Sequence, residues 1–304
     1  MNSKDNSPSE HCADPMPEPA SPWSTDRLPA GLYVVATPLG NLADLAPRAV
    51  AVLRGVQRIC AEDTRRTQGL CRHFGIGTAL TSLHAHNEQS RRERIVAAIL
   101  DGQALALVSD AGTPAISDPG ARLVRAVQQA GARVFSVPGP SALTAAWSIS
   151  GLLDEHWFFE GFLPARTSAR RTRLRALDAM PAALVMFEAP HRVLAAVTDL
   201  AETLHGEREL FIAREISKQF EQSARMPLAE GPGWLAADPD RQRGEFVLLV
   251  SSATAAAADT THIDAQRVLD VLLAELSPAQ AARLAARITG RPRDELYRSV
   301  LAAR

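Results

Sequence analysis

Short apolar segments alternate with helix-length segments through the first half of the chain, and this alternation limits the fold more than any other feature of the sequence. Strands separated by helices form βαβ units, in which parallel strands share one sheet. The most apolar segment, Ala-Leu-Ala-Leu-Val at 104–108, is predicted to be buried on both faces. The sequence therefore predicts an α/β domain with strands near 32–37, 58–61, 79–83, 104–109 and 133–137.

A polar or turn-forming cluster follows each of these five strands. Parallel strands end at one edge of an open sheet, and ligands bind at that edge. We therefore expect the five loops to converge on one candidate site. The loops are 38–41, 62–65, 84–88, 110–120 and 138–140.

The loop after the fourth strand combines an acid with almost bare backbone. Asp110 is followed by Ala-Gly, and Pro114 prevents further sheet pairing. Asp118 is predicted to be a helix N-cap, with Pro119 at the first helical position. Two interpretations stay open. The loop is either a place where a small polar molecule approaches closely, or an ordinary turn whose glycine relieves strain.

Beyond Gly151 the spacing of the apolar segments changes. Candidate strands occupy 157–163, 183–188 and 210–216, and two more follow at 221–228 and 245–251. No full helix separates the last two, which predicts that they pair antiparallel in a mixed sheet.

This spacing also gives a domain organisation. We expect a disordered tail at 1–27, because its composition is polar and rich in proline. Two α/β domains at 28–140 and 141–252 and a linker at 253–263 are predicted to follow. The remaining segment, 264–304, is predicted to form three short helices that resemble a helix-turn-helix unit.

The charge balance argues against a general polyanion-binding protein, because the formal net charge is -1. Arginines are nevertheless concentrated in two stretches, each interpreted either as phosphate contacts or as a solvated helix face. In the first stretch, the arginines at 170, 171 and 173 are predicted to contact phosphates. The first stretch contains Arg166, Arg170, Arg171, Arg173 and Arg175, and the second contains Arg283, Arg287, Arg291, Arg293, Arg298 and Arg304.

The cysteine count and the lack of long apolar runs indicate the compartment. Three cysteines without paired spacing argue against both a disulfide framework and a zinc site. No apolar run reaches membrane-spanning length, and the N-terminus lacks the core of a signal peptide. We therefore expect a soluble, cytoplasmic protein.

Lysine is almost missing from the sequence. The 33 basic residues include two lysines, Lys4 in the predicted tail and Lys218 in the folded body. Arginine does not readily lose its proton, whereas lysine can. Lys218 is therefore either a chance survivor or part of a site that requires a compact or titratable amine.

Several common catalytic motifs are missing from the sequence. No dinucleotide-binding fingerprint, P-loop or Gly-x-Ser-x-Gly elbow occurs, and the pair His84 and His86 has no third ligand nearby for a metal. The remaining polar residues suit a cofactor that carries the reactive group itself, and methyl transfer from S-adenosylmethionine fits this description. These residues are Glu62, Asp63, His86, Glu88, Asp110, Glu188, Glu215 and Lys218.

Nine motifs, in order, carry a family resemblance that runs from about Leu32 to the end of the chain. Together they resemble the branch of the tetrapyrrole methylase-like superfamily that methylates small-subunit ribosomal RNA. The motifs are LYVVATPLGNL (32–42), AEDTRRT (61–67), HAHNE (84–88), VSDAGTPAISDPG (108–120), VPGPS (137–141), FEGFLP (159–164), FEAPHR (187–192), AREISK (213–218) and RGEFVL (243–248).

The resemblance implies a fold, a cofactor and a substrate. The implied fold is the two-domain, class III methyltransferase fold, with S-adenosylmethionine bound between the domains of each subunit of a homodimer. The implied substrate is the ribose 2′-hydroxyl of a decoding-region cytidine in 16S rRNA, either free or in the 30S subunit. Neither a membrane nor a metal is implied. Two departures from the family pattern, Ile216-Ser217 and Ala189-Pro190, preserve size and charge.

The resemblance also implies site residues. The implied donor contacts, many of them through the backbone, are Pro38, Leu39, Asp110, Ala111, Gly112, Pro114, Ser141, Ala142, Phe187, Ala213 and Glu245. The candidates for substrate positioning and proton removal are Glu62, Asp63, Arg65, His86, Asn87, Glu88 and Lys218.

Two other functions stay open. A related methylase acting on a tetrapyrrole or on a modified amino acid would share the donor motifs, but the two arginine stretches favour RNA. A ribosome-assembly factor that binds RNA would not need to bind the donor.

Overall fold

The computed structural model describes residues 28–83, 88–253, 265–289 and 292–302. The predicted tail, the segment 84–87 and the predicted linker from 254 onward lie outside the described residues. The described strands are β1 (Gly31–Val35), β2 (Arg58–Ala61), β3 (Leu80–Ser82), β4 (Ala104–Val108), β5 (Val134–Val137), β6 (Trp157–Phe162), β7 (Ala183–Glu188), β8 (Glu209–Arg214), β9 (Gln222–Pro227) and β10 (Phe246–Val250). The described α-helices are α1 (Pro47–Gly55), α2 (Thr64–His73), α3 (Glu88–Leu100), α4 (Ala121–Gln129), α5 (Ala142–Ser150), α6 (Thr167–Leu177), α7 (Val193–Thr203), α8 (Gly231–Ala236), α9 (Ala265–Leu273), α10 (Pro278–Thr289) and α11 (Arg293–Ala302).

The chain divides into two compact units. The first takes in the chain up to Thr37 and then Leu45–Gly139, and the second takes in Pro38–Asp44 and the chain from Pro140 onward. The short segment Pro38–Asp44 therefore groups with the second unit, although it directly follows β1.

The first unit is built on a five-stranded parallel sheet in the order β3-β2-β4-β1-β5. All five residues of β4 are buried, and alternate residues belong to two different cores. Ala104, Ala106 and Val108 pack in the core that includes α1 and α2 residues, while Leu105 and Leu107 pack with residues of α3 and α4. The predicted alternation of strands and helices, and its parallel sheet, are confirmed.

The second unit is built on a mixed sheet in the order β6-β7-β10-β8-β9. Only β6 and β7 are parallel, and the other neighbours are antiparallel. The mixed sheet is confirmed, but the predicted pairing of 221–228 with 245–251 is wrong. These segments form β9 and β10, and β8 lies between them and pairs with both.

Helix α6 contains the first arginine stretch, and its arginines form ion pairs within the second unit. Arg170 is buried, and its Nε donates to Asp199 Oδ2 of α7 at 2.6 Å. Arg171 bonds to Asp199 and Glu202, and Arg173 forms a two-bond pair with Glu160 at 2.7 Å. The prediction that Arg170 contacts a phosphate is therefore wrong, because its guanidinium is buried against Asp199. For Arg171 and Arg173, phosphate contact stays a prediction that their carboxylate partners disfavour.

The last three helices form their own small core, and the prediction of three short helices is confirmed. Three alanines of α10 are fully buried there, at 281, 282 and 285, against Leu269 of α9 and Leu296 and Val300 of α11. Small residues allow the three helices to pack closely. Among the described helices, none is long and apolar enough to cross a lipid bilayer.

The buried pair between α6 and α7 gives a stability prediction. Replacing Asp199 with alanine leaves the Arg170 guanidinium buried without its carboxylate, and such a loss costs about 3–5 kcal/mol. We expect Asp199→Ala to lower the free energy of unfolding in urea by this amount. Arg175→Ala, at an exposed position of the same helix, should change it by less than about 0.5 kcal/mol. A loss under about 1 kcal/mol for Asp199→Ala would show that the pair behaves like a surface ion pair.

Candidate active site

Asp110 organises the carboxyl edge of the first sheet. Its Oδ1 accepts a hydrogen bond from the Asp63 backbone amide at 3.0 Å, which joins the ends of β4 and β2. Its Oδ2 lies 3.5 Å from the guanidinium of Arg66. Asp63 is the N-cap of α2 and accepts three hydrogen bonds from the Arg65 backbone and side chain. These bonds lower the pKa of Asp63 to about 2, so that Asp63 is a permanent anion paired with Arg65.

Two further acids at this edge have pKa values shifted in the opposite direction. Burial and the nearby Asp110 charge raise the pKa of Glu62. Burial raises the pKa of Asp118 to about 6, with repulsion from Glu62 adding to the effect and a hydrogen bond with Ser109 opposing it. Asp118 is not the N-cap predicted from the sequence, because α4 begins after Gly120 and Asp118 lies within the preceding loop. Its side chain therefore belongs with the acids of the sheet edge.

The loop that carries Asp118 has an unusual backbone. Ala115 and Ser117 have φ values of 68° and 63°, in the left-handed region that L-residues with a Cβ rarely adopt. Gly112, with φ 77°, exchanges two backbone hydrogen bonds of 2.9 Å with Thr37, two residues beyond the end of β1. Strained backbone of this kind concentrates at functional sites. The bare Ala-Gly therefore meets a real conformational need next to Asp110.

In the second unit, Lys218 lies between two carboxylates. Its Nζ is 2.9 Å from Glu215 Oε1 and 2.6 Å from Glu245 Oε2. Burial alone would lower the pKa of Lys218, but the hydrogen bonds with Glu245 and Glu215 outweigh it and raise the pKa. At Glu215, hydrogen bonds from Lys218 and from the Glu245 backbone amide outweigh burial and lower the pKa of that carboxyl. Lys218 is therefore an ammonium near neutral pH, which favours a role based on charge over proton removal by a neutral amine.

The remaining predicted donor contacts of the second unit are mostly apolar. Phe187, at the end of β7, packs edge-on against Phe159 and belongs to one core cluster with Ala142 and Ala213. Ser141 occupies the N-cap position of α5, but its side chain makes no capping hydrogen bond.

Glu188 was also predicted to line the site from the sequence. It is buried and paired with Arg192, with Arg192 Nε 3.1 Å from Glu188 Oε1. Burial raises the pKa of Glu188. The pair has an evident structural role, since it joins the end of β7 to the start of α7.

The structure thus assembles the predicted residues in two sets. The acids at 62, 63 and 110 meet in the first unit, and Glu215, Lys218 and Glu245 meet in the second. Pro38 is buried and Leu39 half-buried in the segment that groups with the second unit. His86 and Asn87 lie outside the described residues, and so does the side chain of Glu88. Within the described ranges no three His, Cys, Asp or Glu side chains are grouped so that they could hold a metal.

Comparison with known families covers both methylase units and the helical region. The model for Tetrapyrrole (Corrin/Porphyrin) Methylases matches residues 31–231, and the model for the RsmI C-terminal HTH domain matches residues 259–304. A ribosomal RNA small subunit methyltransferase I from Pseudomonas aeruginosa is 49% identical over 271 residues, covering 89% of this chain and 96% of the relative. The chain belongs to the ribosomal RNA small subunit methyltransferase I family. It is therefore a methyltransferase.

Other relatives agree with this family. The ribosomal RNA small subunit methyltransferase I of Xylella fastidiosa strain Temecula1 is 50% identical over 270 residues, covering 88% of this chain and 98% of the relative. Among solved structures, the methyltransferase CobJ matches with a TM-score of 0.55 at 19% identity, covering 74% of this chain and 95% of CobJ. A uroporphyrin-III C-methyl transferase from Thermus thermophilus, complexed with S-adenyl homocysteine, matches with a TM-score of 0.50 at 16% identity, covering 73% and 97% of the two chains. At these identities the solved structures show the shared fold.

The family match leaves the individual site residues as predictions, and Asp118 is one that sequence reasoning missed. It was assigned to a helix cap because Asp-Pro is a strong local signal for a helix start. The signal that could have revealed it is its place in the same glycine- and proline-rich loop as Asp110.

The shifted acid at 118 predicts a pH dependence. The folded state holds the Asp118 proton more tightly than the unfolded chain, so ionisation of Asp118 lowers stability as pH rises from about 4 to 6. We expect Asp118→Asn, measured by thermal unfolding between pH 4 and 8, to gain stability relative to the natural chain across this window. Asp101→Asn, at an exposed carboxylate of the same unit, is the matched control. If the unfolding temperatures of Asp118→Asn and the natural chain changed in parallel with pH, the raised pKa of Asp118 would be contradicted.

Proposed function

We propose that the protein methylates the ribose 2′-hydroxyl of a decoding-region cytidine in 16S rRNA, with S-adenosylmethionine as the donor. The observation that carries this proposal is the match, over nine-tenths of the chain, to relatives named small-subunit ribosomal RNA methyltransferases. The alternative of a tetrapyrrole substrate rests on fold likeness below 20% identity, and the relatives disfavour it. Action in the cytoplasm, as a homodimer and on rRNA or the 30S subunit belongs to the same proposal.

The residues present fit the chemistry of the proposed donor. The donor combines a positively charged sulfonium, ribose hydroxyls, an amino acid and a flat apolar base. In the first unit, Asp110 offers a half-buried carboxylate, and the half-buried Ala111 beside it adds little bulk. In the second unit, the half-buried Phe187 and Ala142 offer apolar surface for the adenine base.

The likeness to a methyl transferase complexed with S-adenyl homocysteine supports the same donor.

The transfer itself needs little from the protein beyond alignment and charge. When bound, the donor supplies an already activated methyl group. The ribose oxygen gains the methyl and loses its proton, so a proton acceptor and a charge that stabilises the developing alkoxide both help. Lys218 supplies the fixed positive charge, and Glu62, whose pKa is raised, is our candidate for proton acceptor.

We do not propose α6 as the RNA-binding surface, because its central arginines are paired with acids. Exposed arginines elsewhere offer other positive charge. On α2, a helix without any acid, Arg72 is exposed, and Arg66 is also exposed although it lies 3.5 Å from Asp110. In the helical region, Arg283, Arg287, Arg293 and Arg298 are exposed. We propose these two surfaces as the phosphate contacts.

Added bulk at the proposed donor surface tests the function. Ala142 starts α5 and is half-buried, so Ala142→Phe should fill space that the donor needs without straining the backbone. We expect its affinity for S-adenosylmethionine, measured by calorimetry, to fall about 10-fold to 100-fold, the scale of overpacking costs. Methylation of 16S rRNA in a deletion strain carrying this variant should fall with it.

Thr144→Phe, exposed on the same helix, is the control and should bind the donor like the natural chain. Equal affinity for Ala142→Phe and Thr144→Phe would remove Ala142 from the donor site. A natural chain that binds no donor and restores no ribose methylation would refute the proposed function itself.

The charge of Lys218 gives a second test. Lys218→Met removes the ammonium and should lower turnover about 100-fold with saturating donor, the scale of such catalytic effects. Lys218→Arg keeps the positive charge, so it should recover much of the lost rate if the charge is what matters. Assays on small subunits with donor affinity measured in parallel would separate the two steps. Turnover near normal in Lys218→Met would make this lysine dispensable.

A further inference from the structure

The segment Pro38–Asp44 and the turn 215–218 touch each other at two points within the second unit. The Ser217 hydroxyl donates a hydrogen bond to Asp44 Oδ2. The Lys218 stem lies against Gly40 so closely that a Cβ at Gly40 would be 2.4 Å from Lys218 Cγ. We call Pro38–Asp44 the donor loop, since Pro38 and Leu39 are proposed donor contacts, and residues 215–218 the lysine turn.

The lysine turn is held in a costly backbone conformation. Glu215 and Ser217 have φ values of 53° and 68°, which non-glycine residues rarely adopt. Four hydrogen bonds of 2.6–2.9 Å fix this shape. The Ser217 amide donates to Glu221, the Glu215 amide donates to the Glu245 carbonyl, and the Glu215 carboxylate accepts from both Lys218 and the Glu245 amide. The turn therefore presents Ser217 and Lys218 from a fixed frame.

The donor loop is ordered from within at its second half. Asn41 bonds to the backbone amides of Ala43 and Asp44, through its side chain at 3.1 Å and its carbonyl at 3.0 Å. A short 3-10 turn results at Leu42–Asp44. Two bonds to Gly112 hold Thr37 just before the loop, and the internal bonds hold its second half. The contacts of Gly40 and Asp44 with the lysine turn therefore bear on the path of Pro38 and Leu39, which lie between these fixed points.

We propose that the Asp44–Ser217 hydrogen bond and the Gly40–Lys218 contact form a latch that sets the position of Pro38 and Leu39 for the donor. This proposal rests on the proposed function, because the ligand is the donor. It makes Asp44, Ser217 and Gly40 positioning residues. In this proposal, the left-handed backbone conformation of Ser217 has a role, because it directs the hydroxyl toward Asp44.

The test is a set of affinities for S-adenosylmethionine, measured by calorimetry with the full chain. Removing either partner of the hydrogen bond, in Ser217→Ala or Asp44→Ala, should weaken binding about tenfold, as expected for one bond to a charged group. The double variant should bind no more weakly than either single variant, because the two changes break the same bond. Asp44→Asn keeps an acceptor oxygen and should restore most of the affinity, which a general loss of fold would not allow.

A second readout does not depend on the donor. Without donor, Ser217→Ala should speed hydrogen exchange at the backbone amides of Ala43 and Asp44 by at least severalfold. Gly40→Ala, which forces the Lys218 stem to shift, should do the same. The matched control is Asp240→Ala, at an exposed acid in another 3-10 turn of the second unit. It should change neither readout.

The outcomes separate the latch from the proposed function. Natural affinity and natural exchange in Ser217→Ala and Asp44→Ala would overturn the latch while leaving the donor proposal intact. Additive losses in the double variant would also overturn it. A natural chain that fails to bind the donor would overturn the proposed function, and with it the role of the latch.

Discussion

Parallel strands place all their carboxyl ends at one edge of the sheet, and the chemistry of the first unit depends on this constraint. Asp63 and Asp110 lie 47 residues apart in sequence, yet they meet through one hydrogen bond because β2 and β4 are neighbours in register. The same adjacency brings Glu62 close to Asp110 and Asp118. A cluster of acids that no single segment contains thus follows from strand order alone.

The pKa values of the acids are shifted in opposite directions in the two units. In the first, Glu62 and Asp118 lie near other carboxylates, and burial together with repulsion from neighbouring carboxylates raises both pKa values. In the second, Glu215 shares an ammonium with Glu245, and its pKa is lowered. The first arrangement favours carboxyl groups that hold their protons to higher pH than usual. The second favours a charge that stays constant. In the proposed methyl transfer to a hydroxyl, both kinds of group would help.

The sequence predicted the fold well wherever local periodicity decides it. The bounds of β2 and β7 agree to the residue with the prediction, since both segments are apolar and end in charged clusters. Strand pairing and side-chain partners were not predicted correctly, because they depend on chain segments that are far apart in sequence. The position of β8 between β9 and β10 could not be deduced from spacing, and neither could the bond from Arg170 to Asp199, 29 residues away.

For the site, composition singled out Lys218, but its two carboxylate partners became visible as a group only in three dimensions. Glu215 and Glu245 are 30 residues apart, and they meet because β8 and β10 are antiparallel neighbours. Asp118 was missed because a strong local helix-start signal competed with its tertiary environment. The lesson is physical: hydrogen-bond partners across a sheet depend on register, which local patterns leave open.

The scarcity of lysine has a consequence for the reactivity of the protein. Reagents and enzymes that modify amines act on the neutral form, and the folded body offers them one side chain, Lys218. Two carboxylates keep that side chain protonated. Apart from Lys4 and the amino terminus, the protein thus offers few amines to acylating reagents, although it carries many arginines. Arginine side chains give the protein positive charge without a nucleophilic amine. In the folded body the exception is Lys218, which lies where the chemistry is proposed to occur.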